Sequence, residues 1–103
     1  MTKTELLKSI LNVVSEVCEI SSEDILSHSK RNDVVDARCI FVHFCIEYGL
    51  PTVTIMHFLH RRRTCVINNY LQNYGIYSRQ SFSFRLLCSQ VSDKLSDMYP
   101  QSE

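Results

Sequence analysis

Apolar residues recur at steps of three and four along most of this chain, the spacing that places them on one face of an α-helix. The first run covers about residues 2–18, with Thr2 in position to cap its N-terminus. A short helix follows over about residues 22–27, with Ser21 or Ser22 as its cap. The N-terminal part of the chain is therefore predicted to form two helices.

The middle of the chain changes from polar to strongly apolar. Residues 28–33 are polar and are expected to form a loop, in which Asp33 can cap the next helix. That helix, over residues 34–48, has apolar residues on most of its sides. Since a helix of this kind is usually surrounded by others, we expect it to be central to the fold. Gly49 is expected to end it in the left-handed conformation.

Three more helices are predicted in the second half of the chain. A short one over about residues 52–59 is followed, after a tight connection at residues 60–61, by a longer one over about residues 62–74. Gly75 is expected to stop this longer helix. The last helix covers about residues 79–98, where apolar residues recur at helical spacing.

Composition agrees with an ordered, helical protein. The 103 residues fit one domain, here residues 1–103, and contain only two glycines and two prolines, so there are few helix breakers. No hairpin signal occurs, and the chain is predicted to be all-α with about six helices.

The five cysteines include no CxxC pair, so we expect reduced thiols and a cytoplasmic protein. No run resembles a signal peptide or is long enough to span a membrane, and no membrane partner is expected.

The charges are segregated, although the formal net charge is zero. Residues 1–27 carry two lysines against five acids, whereas residues 48–92 carry five arginines and no Asp or Glu. Three of these arginines, at residues 61–63, lie where one predicted helix ends and the next begins. Exposed N–H groups and partial positive charge at a helix N-terminus favour phosphate oxygens. This pattern is typical of a DNA-binding surface, with an ordinary solvated basic face as the alternative.

Two helices joined by a very short turn, the second being the longer, match a helix-turn-helix over about residues 52–74. In that motif the second helix presents its leading end to the major groove. Arg, Asn and Thr side chains there contact phosphates or base edges, although Thr64 also fits a simple helix cap. The candidate DNA-binding residues at this end are Arg61, Arg62, Arg63, Thr64, Cys65 and Asn68.

The order of the segments is more specific than this motif alone. Five segments follow one another in the order found in a known family. They are residues 22–27, a basic loop, the Ala-Arg pair within residues 34–38, and the stretches 48–55 and 60–66. Over about residues 10–75 the chain resembles the C-terminal DNA-binding domain of the bacterial replication initiator DnaA. The resemblance implies an all-helical fold similar to that of the Trp repressor, and binding to double-stranded DNA.

The resemblance also implies roles for single residues near the basic loop and the turn. Lys30 falls where the family has a basic residue that enters the minor groove, and Arg31 lies beside it. Arg38 matches the arginine of the Ala-Arg pair, and Arg61 matches the arginine of the family signature. Lys30, Arg38 and Arg61 are therefore expected to contact DNA. Arg31 is expected to do so as well, with ordinary loop charges as the alternative for Lys30 and Arg31.

The rest of the signature is only partly kept. Thr64 and Val66 match its first threonine and its valine, whereas Cys65 stands in place of the second threonine. Arg62 and Arg63 replace an Asp-His pair. Losing a carboxylate and gaining cations is expected to raise nonspecific, salt-sensitive affinity and to change the target sequence.

These observations predict a double-stranded DNA-binding protein that is not an enzyme and that regulates replication or transcription. The chain contains no Gly-rich phosphate loop, so we expect no ATPase activity. A free-standing domain of this type is expected in the bacterial cytoplasm, at the nucleoid, or as the product of a phage or mobile element. Because a lone helix-turn-helix often needs a second half-site for high affinity, the sequence leaves a homodimer open.

A protein-interaction adaptor that has lost DNA readout is the second function that fits the sequence. Its partner would bind through the acidic N-terminal helix or through the last two helices, where the aromatic residues are Tyr70, Tyr74, Tyr77, Phe82 and Phe84.

Two residue pairs have the spacing of other chemistry. His57 and His60 fit metal ligands on one helix face, but no third ligand follows at suitable spacing, so no metal or other cofactor is expected. Cys39 and His43 fit a nucleophile and its base, yet both fall on the apolar central helix. Structural roles are favoured for both pairs.

Overall fold

The computed structural model describes residues 2–61 and 64–98 of the chain. These two ranges contain helices and no strand, which confirms the prediction of an all-α fold with about six helices. The helices are α1 (Lys3–Cys18), α2 (Ser22–Leu26), α3 (Asn32–Glu47), α4 (Thr52–Phe58), α5 (Thr64–Gln80) and α6 (Phe82–Met98).

Short side chains and one glycine set several of the helix ends, as the sequence predicts. The hydroxyl of Thr2 accepts a hydrogen bond from the Glu5 amide at 3.1 Å, and that of Ser21 accepts one from the Asp24 amide at 3.1 Å. Each satisfies a backbone donor that has no partner within its own helix. Gly49 has a φ of +84° just after α3, a conformation that costs glycine little.

Helix α3 lies at the centre of the fold and packs against each of the five other helices. Most of its side chains are removed from solvent, which confirms the expectation drawn from its apolar pattern. The fully buried apolar residues of α3 are Val34, Ala37, Cys39, Ile40, Phe41, Val42 and Cys45. Their burial supplies a large part of the hydrophobic stabilisation, and it joins α3 to the helices around it.

The prediction that Gly75 stops a helix is wrong. Helix α5 continues through Gly75 to Gln80, because its second half packs against α6: the rings of Tyr74 and Tyr77 lie 5.5 Å and 5.6 Å from that of Phe84. The chain turns instead at Ser81, whose hydroxyl accepts a hydrogen bond from the Phe84 amide at 3.2 Å. Tertiary packing here outweighs the weak helix propensity of one glycine.

An aromatic stack joins α3 to α5. The imidazole of His43 lies parallel to the ring of Tyr74, with 3.7 Å between their centroids, and its Nε2 lies 3.4 Å from a carboxylate oxygen of Glu47. Burial disfavours the imidazolium and lowers the pKa of His43, and the carboxylate of Glu47 only partly opposes this effect. The folded state therefore favours a neutral His43.

This lowered pKa predicts a loss of stability in mild acid. Unfolding returns the pKa of His43 to its ordinary value of 6.5. Just below pH 6.5, His43 therefore binds a proton more readily in the unfolded chain than in the folded one. The stabilisation by neutral His43 is thus present above pH 6.5 and is lost as the pH falls below it. We expect the urea midpoint to fall more between pH 7.5 and 5.5 for the wild type than for His43→Phe, which keeps a ring on Tyr74. Equal falls would contradict the assignment.

Candidate nucleic-acid interface

The turn between α4 and α5 begins with a helix end of defined geometry. The Arg61 amide donates to the Met56 carbonyl at 2.9 Å, and the His60 amide donates to the His57 carbonyl at 3.1 Å. These two hydrogen bonds form a Schellman motif. It places His60 at a φ of +57°, in the left-handed region that glycine usually occupies. The motif reverses the chain sharply after α4, so that α5 can start close to α4.

Arg61 connects this turn to the loop between α2 and α3. Its Nη1 donates to the Leu59 carbonyl at 2.7 Å, and its Nη2 donates to the Ser27 carbonyl at 3.0 Å. The same Nη1 lies 3.5 Å from Nε2 of the exposed His28. Arg61 is therefore half-buried and holds two segments together, and only part of its guanidinium faces solvent.

Arg38 is not part of a surface, and its prediction as a DNA contact has to be corrected. The side chain is only 2 % exposed. Its guanidinium donates four hydrogen bonds to main-chain carbonyls at 2.7–3.2 Å, and these acceptors are Asp24, Ile25, Ser27 and Ser29. Three of them belong to the end of α2, where a helix has carbonyls without partners and a partial negative charge. Arg38 therefore helps to cap the C-terminus of α2, together with the Ser27 amide, which donates to the Asp24 carbonyl at 3.1 Å.

Arg38 also reaches the second helix of the motif. Its Cζ lies 6.0 Å from the ring centroid of Tyr70 on α5, within range of a cation–π contact. The Ser27 carbonyl accepts from both Arg38 and Arg61. One main-chain oxygen thus links the core, the loop that carries Lys30, and the turn before α5.

The loop presents Lys30 to solvent, whereas Arg31 beside it has acidic neighbours. Nε of Arg31 lies 3.3 Å from a carboxylate oxygen of Asp33, and its Nη2 lies 3.9 Å from one of Asp24. All three side chains are largely exposed, so these ion pairs are weak, but they reduce the positive field of Arg31. Lys30 is the loop cation for which no ion pair occurs among the described residues.

The leading part of α5 presents Cys65 and Asn68 to solvent, as the sequence predicts. The same face also presents Asn69 and Gln72, which the sequence reasoning did not select. Their positions, four and seven residues after Cys65, were the signal that could have identified them. Arg62 and Arg63 lie outside the described residues. Thr64 is described only as the first residue of α5, without its side chain.

The alternative chemistries find no geometric support. Cys39 is fully buried, and burial raises the pKa of its thiol to about 12, so the nucleophilic thiolate is disfavoured. Within residues 2–61 and 64–98, no three His, Cys, Asp or Glu side chains come together as a metal site. No helix in these ranges combines the length and apolar character needed to cross a membrane.

Comparison with known proteins identifies a family that matches most of the chain. The family described as bacterial dnaA protein helix-turn-helix matches residues 7–72, which is more than half of the chain. The matched stretch contains most of α1, all of α2 to α4, and the leading part of α5 with its exposed face. The match confirms the resemblance seen in the sequence, and α6 lies beyond it. No curated protein matches the chain.

The buried position of Arg38 predicts a large effect on stability. Arg38→Met keeps a long apolar stem but removes the donor to the Ile25 and Ser29 carbonyls, so we expect a loss of about 3 kcal/mol in the free energy of unfolding. Arg31→Met, which also removes one arginine but from an exposed site, is expected to cost less than about 1 kcal/mol. Urea denaturation of the two variants tests this. Similar small losses for both would contradict the role of Arg38.

Proposed function

We propose that this chain, which belongs to the bacterial DnaA helix-turn-helix family, binds double-stranded DNA with α5 in the major groove. One observation carries the proposal: the exposed polar face of α5 starts directly after three consecutive arginines, in a stretch of 45 positions, residues 48–92, without a carboxylate side chain. A polyanion approaching this face meets cations and amides and no like charge from that stretch.

In this proposal the residues near the turn contact different parts of the DNA. Arg62, Arg63 and the exposed part of Arg61 contact phosphates on either side of the groove. Thr64, Cys65 and Asn68 then face base edges, since phosphate contacts set the register and groove contacts read the sequence. Lys30 reaches the adjacent minor groove from the loop.

Arg61 has a second role in the same proposal. Its hydrogen bond to the Ser27 carbonyl, at 3.0 Å, is a direct link between the turn and the loop that carries Lys30. Holding the loop and α5 in one arrangement before DNA arrives reduces the ordering cost of binding. Arg38 supports this arrangement from the core and makes no contact with DNA.

We propose a regulatory role in replication or transcription, exerted by occupying DNA. Binding of this kind needs no catalytic group. The basic character of the turn, where Arg62 and Arg63 replace the Asp-His pair of the family signature, predicts affinity that depends strongly on salt.

The adaptor remains a second candidate because α6 exposes large apolar side chains. Phe82 is 72 % exposed and Leu86, one turn later, is 48 % exposed. Both lie on the helix that follows the family match, near the cations Arg79 and Arg85. Exposed aromatic and aliphatic residues of this size are typical of protein contacts.

The DNA-binding proposal predicts the effect of removing the three arginines together. Arg61, Arg62 and Arg63 changed to Ala should lower affinity for random duplex DNA at least tenfold at low salt. The slope of log affinity against log salt should become shallower, by up to about 0.9 for each phosphate that an arginine no longer neutralises. Electrophoretic mobility shift and fluorescence anisotropy across a salt series measure both quantities, and circular dichroism checks the fold.

A matched variant with the same change in charge controls for long-range attraction. Lys3, Lys8 and Lys94 are exposed on α1 and α6, and changing all three to Ala should leave the slope nearly unchanged. If the slope of log affinity against log salt is unchanged in the arginine variant, these arginines do not contact DNA phosphates.

The adaptor proposal gives a different result in the same assay. If the wild type shifts no duplex at low salt, DNA binding is refuted and the adaptor is favoured. Phe82→Ser and Leu86→Ser should not change affinity for DNA, because α6 lies outside the proposed contact. A loss of DNA affinity in these variants would contradict the docking of α5 proposed above.

A further inference from the structure

Four exposed residues form one polar stripe along α5. Cys65, Asn68, Asn69 and Gln72 follow the i, i+3, i+4, i+7 spacing of a single helix face, and all four are exposed. Ile67, on the opposite side, is fully buried in the core. Three of the four stripe residues end in a carboxamide, and none is charged.

We infer that the carboxamide stripe, formed by Asn68, Asn69 and Gln72, reads adenine in the major groove, so that the chain selects duplexes with two or three consecutive A·T pairs. The inference rests on the proposed function, because it takes α5 as the recognition helix. A carboxamide has an acceptor and a donor side by side, and adenine offers the N6 donor and N7 acceptor that match them. Guanine offers two acceptors instead and suits arginine or lysine better.

The length of the carboxamide stripe limits how many base pairs it reads. Asn68 and Gln72 are four residues apart, a rise of about 6 Å along the helix. Base pairs follow one another every ~3.4 Å, so the stripe spans about two base-pair steps. Two or three neighbouring pairs are therefore within reach when α5 lies along the groove.

The carboxamides are available for such contacts. In the described part of the chain, no hydrogen bond engages the side chain of Asn68, Asn69 or Gln72. The three carboxamides are themselves polar, and the nearest exposed large apolar residue on this face is Ile76, one turn after Gln72, whereas α6 exposes both Phe82 and Leu86. A polar groove with ordered donors and acceptors therefore fits the stripe better than the apolar core of a protein interface does.

The test begins with selection of bound duplexes from a random pool by the wild-type chain. The selected duplex is then compared with a version in which its A·T run is replaced by G·C pairs. We expect the selected duplexes to share at least two consecutive A·T pairs. Three single variants are tested: Asn68→Ala, Asn69→Ala and Gln72→Ala. At one base pair of the run, each variant should lose about 5- to 150-fold of the wild-type preference for A·T over G·C, which is the range for a bidentate base contact.

Two controls separate base reading from general effects. Asn12→Ala removes an exposed carboxamide from α1, which packs against α2, α3 and α6, and it should keep the full preference. Asn12→Ala should also bind random duplex DNA with the wild-type affinity, whereas the three stripe variants should keep the wild-type salt slope, because every proposed phosphate contact is kept.

The outcomes distinguish the inference from the proposed function. Selection of G·C runs, selection without any preference, or an undiminished A·T preference in all three stripe variants would overturn the inference while DNA binding stands. Failure of the wild type to bind any duplex at low salt would overturn both.

Discussion

The buried guanidinium of Arg38 is the interaction on which the arrangement of the interface depends. A short helix such as α2 ends in carbonyls without partners, and Arg38 supplies four donors to that end and to the loop after it. Among the described residues no carboxylate pairs with this cation, so carbonyl dipoles provide its stabilisation. The loop is thus held from inside, and its outer side presents Lys30 to solvent.

Arg61 extends this network to the surface. It shares the Ser27 carbonyl with Arg38 and also donates to the Leu59 carbonyl, so hydrogen bonds join the loop to the turn. Two arginines that the sequence suggests as DNA contacts thus serve wholly or partly as internal connectors. The proposed DNA contacts then fall on the arginines at 62–63, on the exposed part of Arg61, on Lys30, and on the polar face of α5.

The exposed surface divides into parts with different chemistry. The leading face of α5 is polar and uncharged, whereas the start of α6 exposes Phe82 and Leu86. The family match ends at residue 72 and so includes the first part but not the second. The two parts lie on different helices, so a side chain on one part can change without disturbing the other.

The sequence by itself determined the helices, their central member and two of their caps, because these depend on apolar spacing and on contacts within three residues, such as Thr2 with Glu5. It also located the polar leading end of α5. Only the tertiary structure decided that α5 continues through Gly75, since the packing of Tyr77 on Phe84 comes from another helix. It likewise decided that Arg38 is internal: its acceptors lie 9 to 14 residues away, and no local pattern separates a buried arginine from an exposed one.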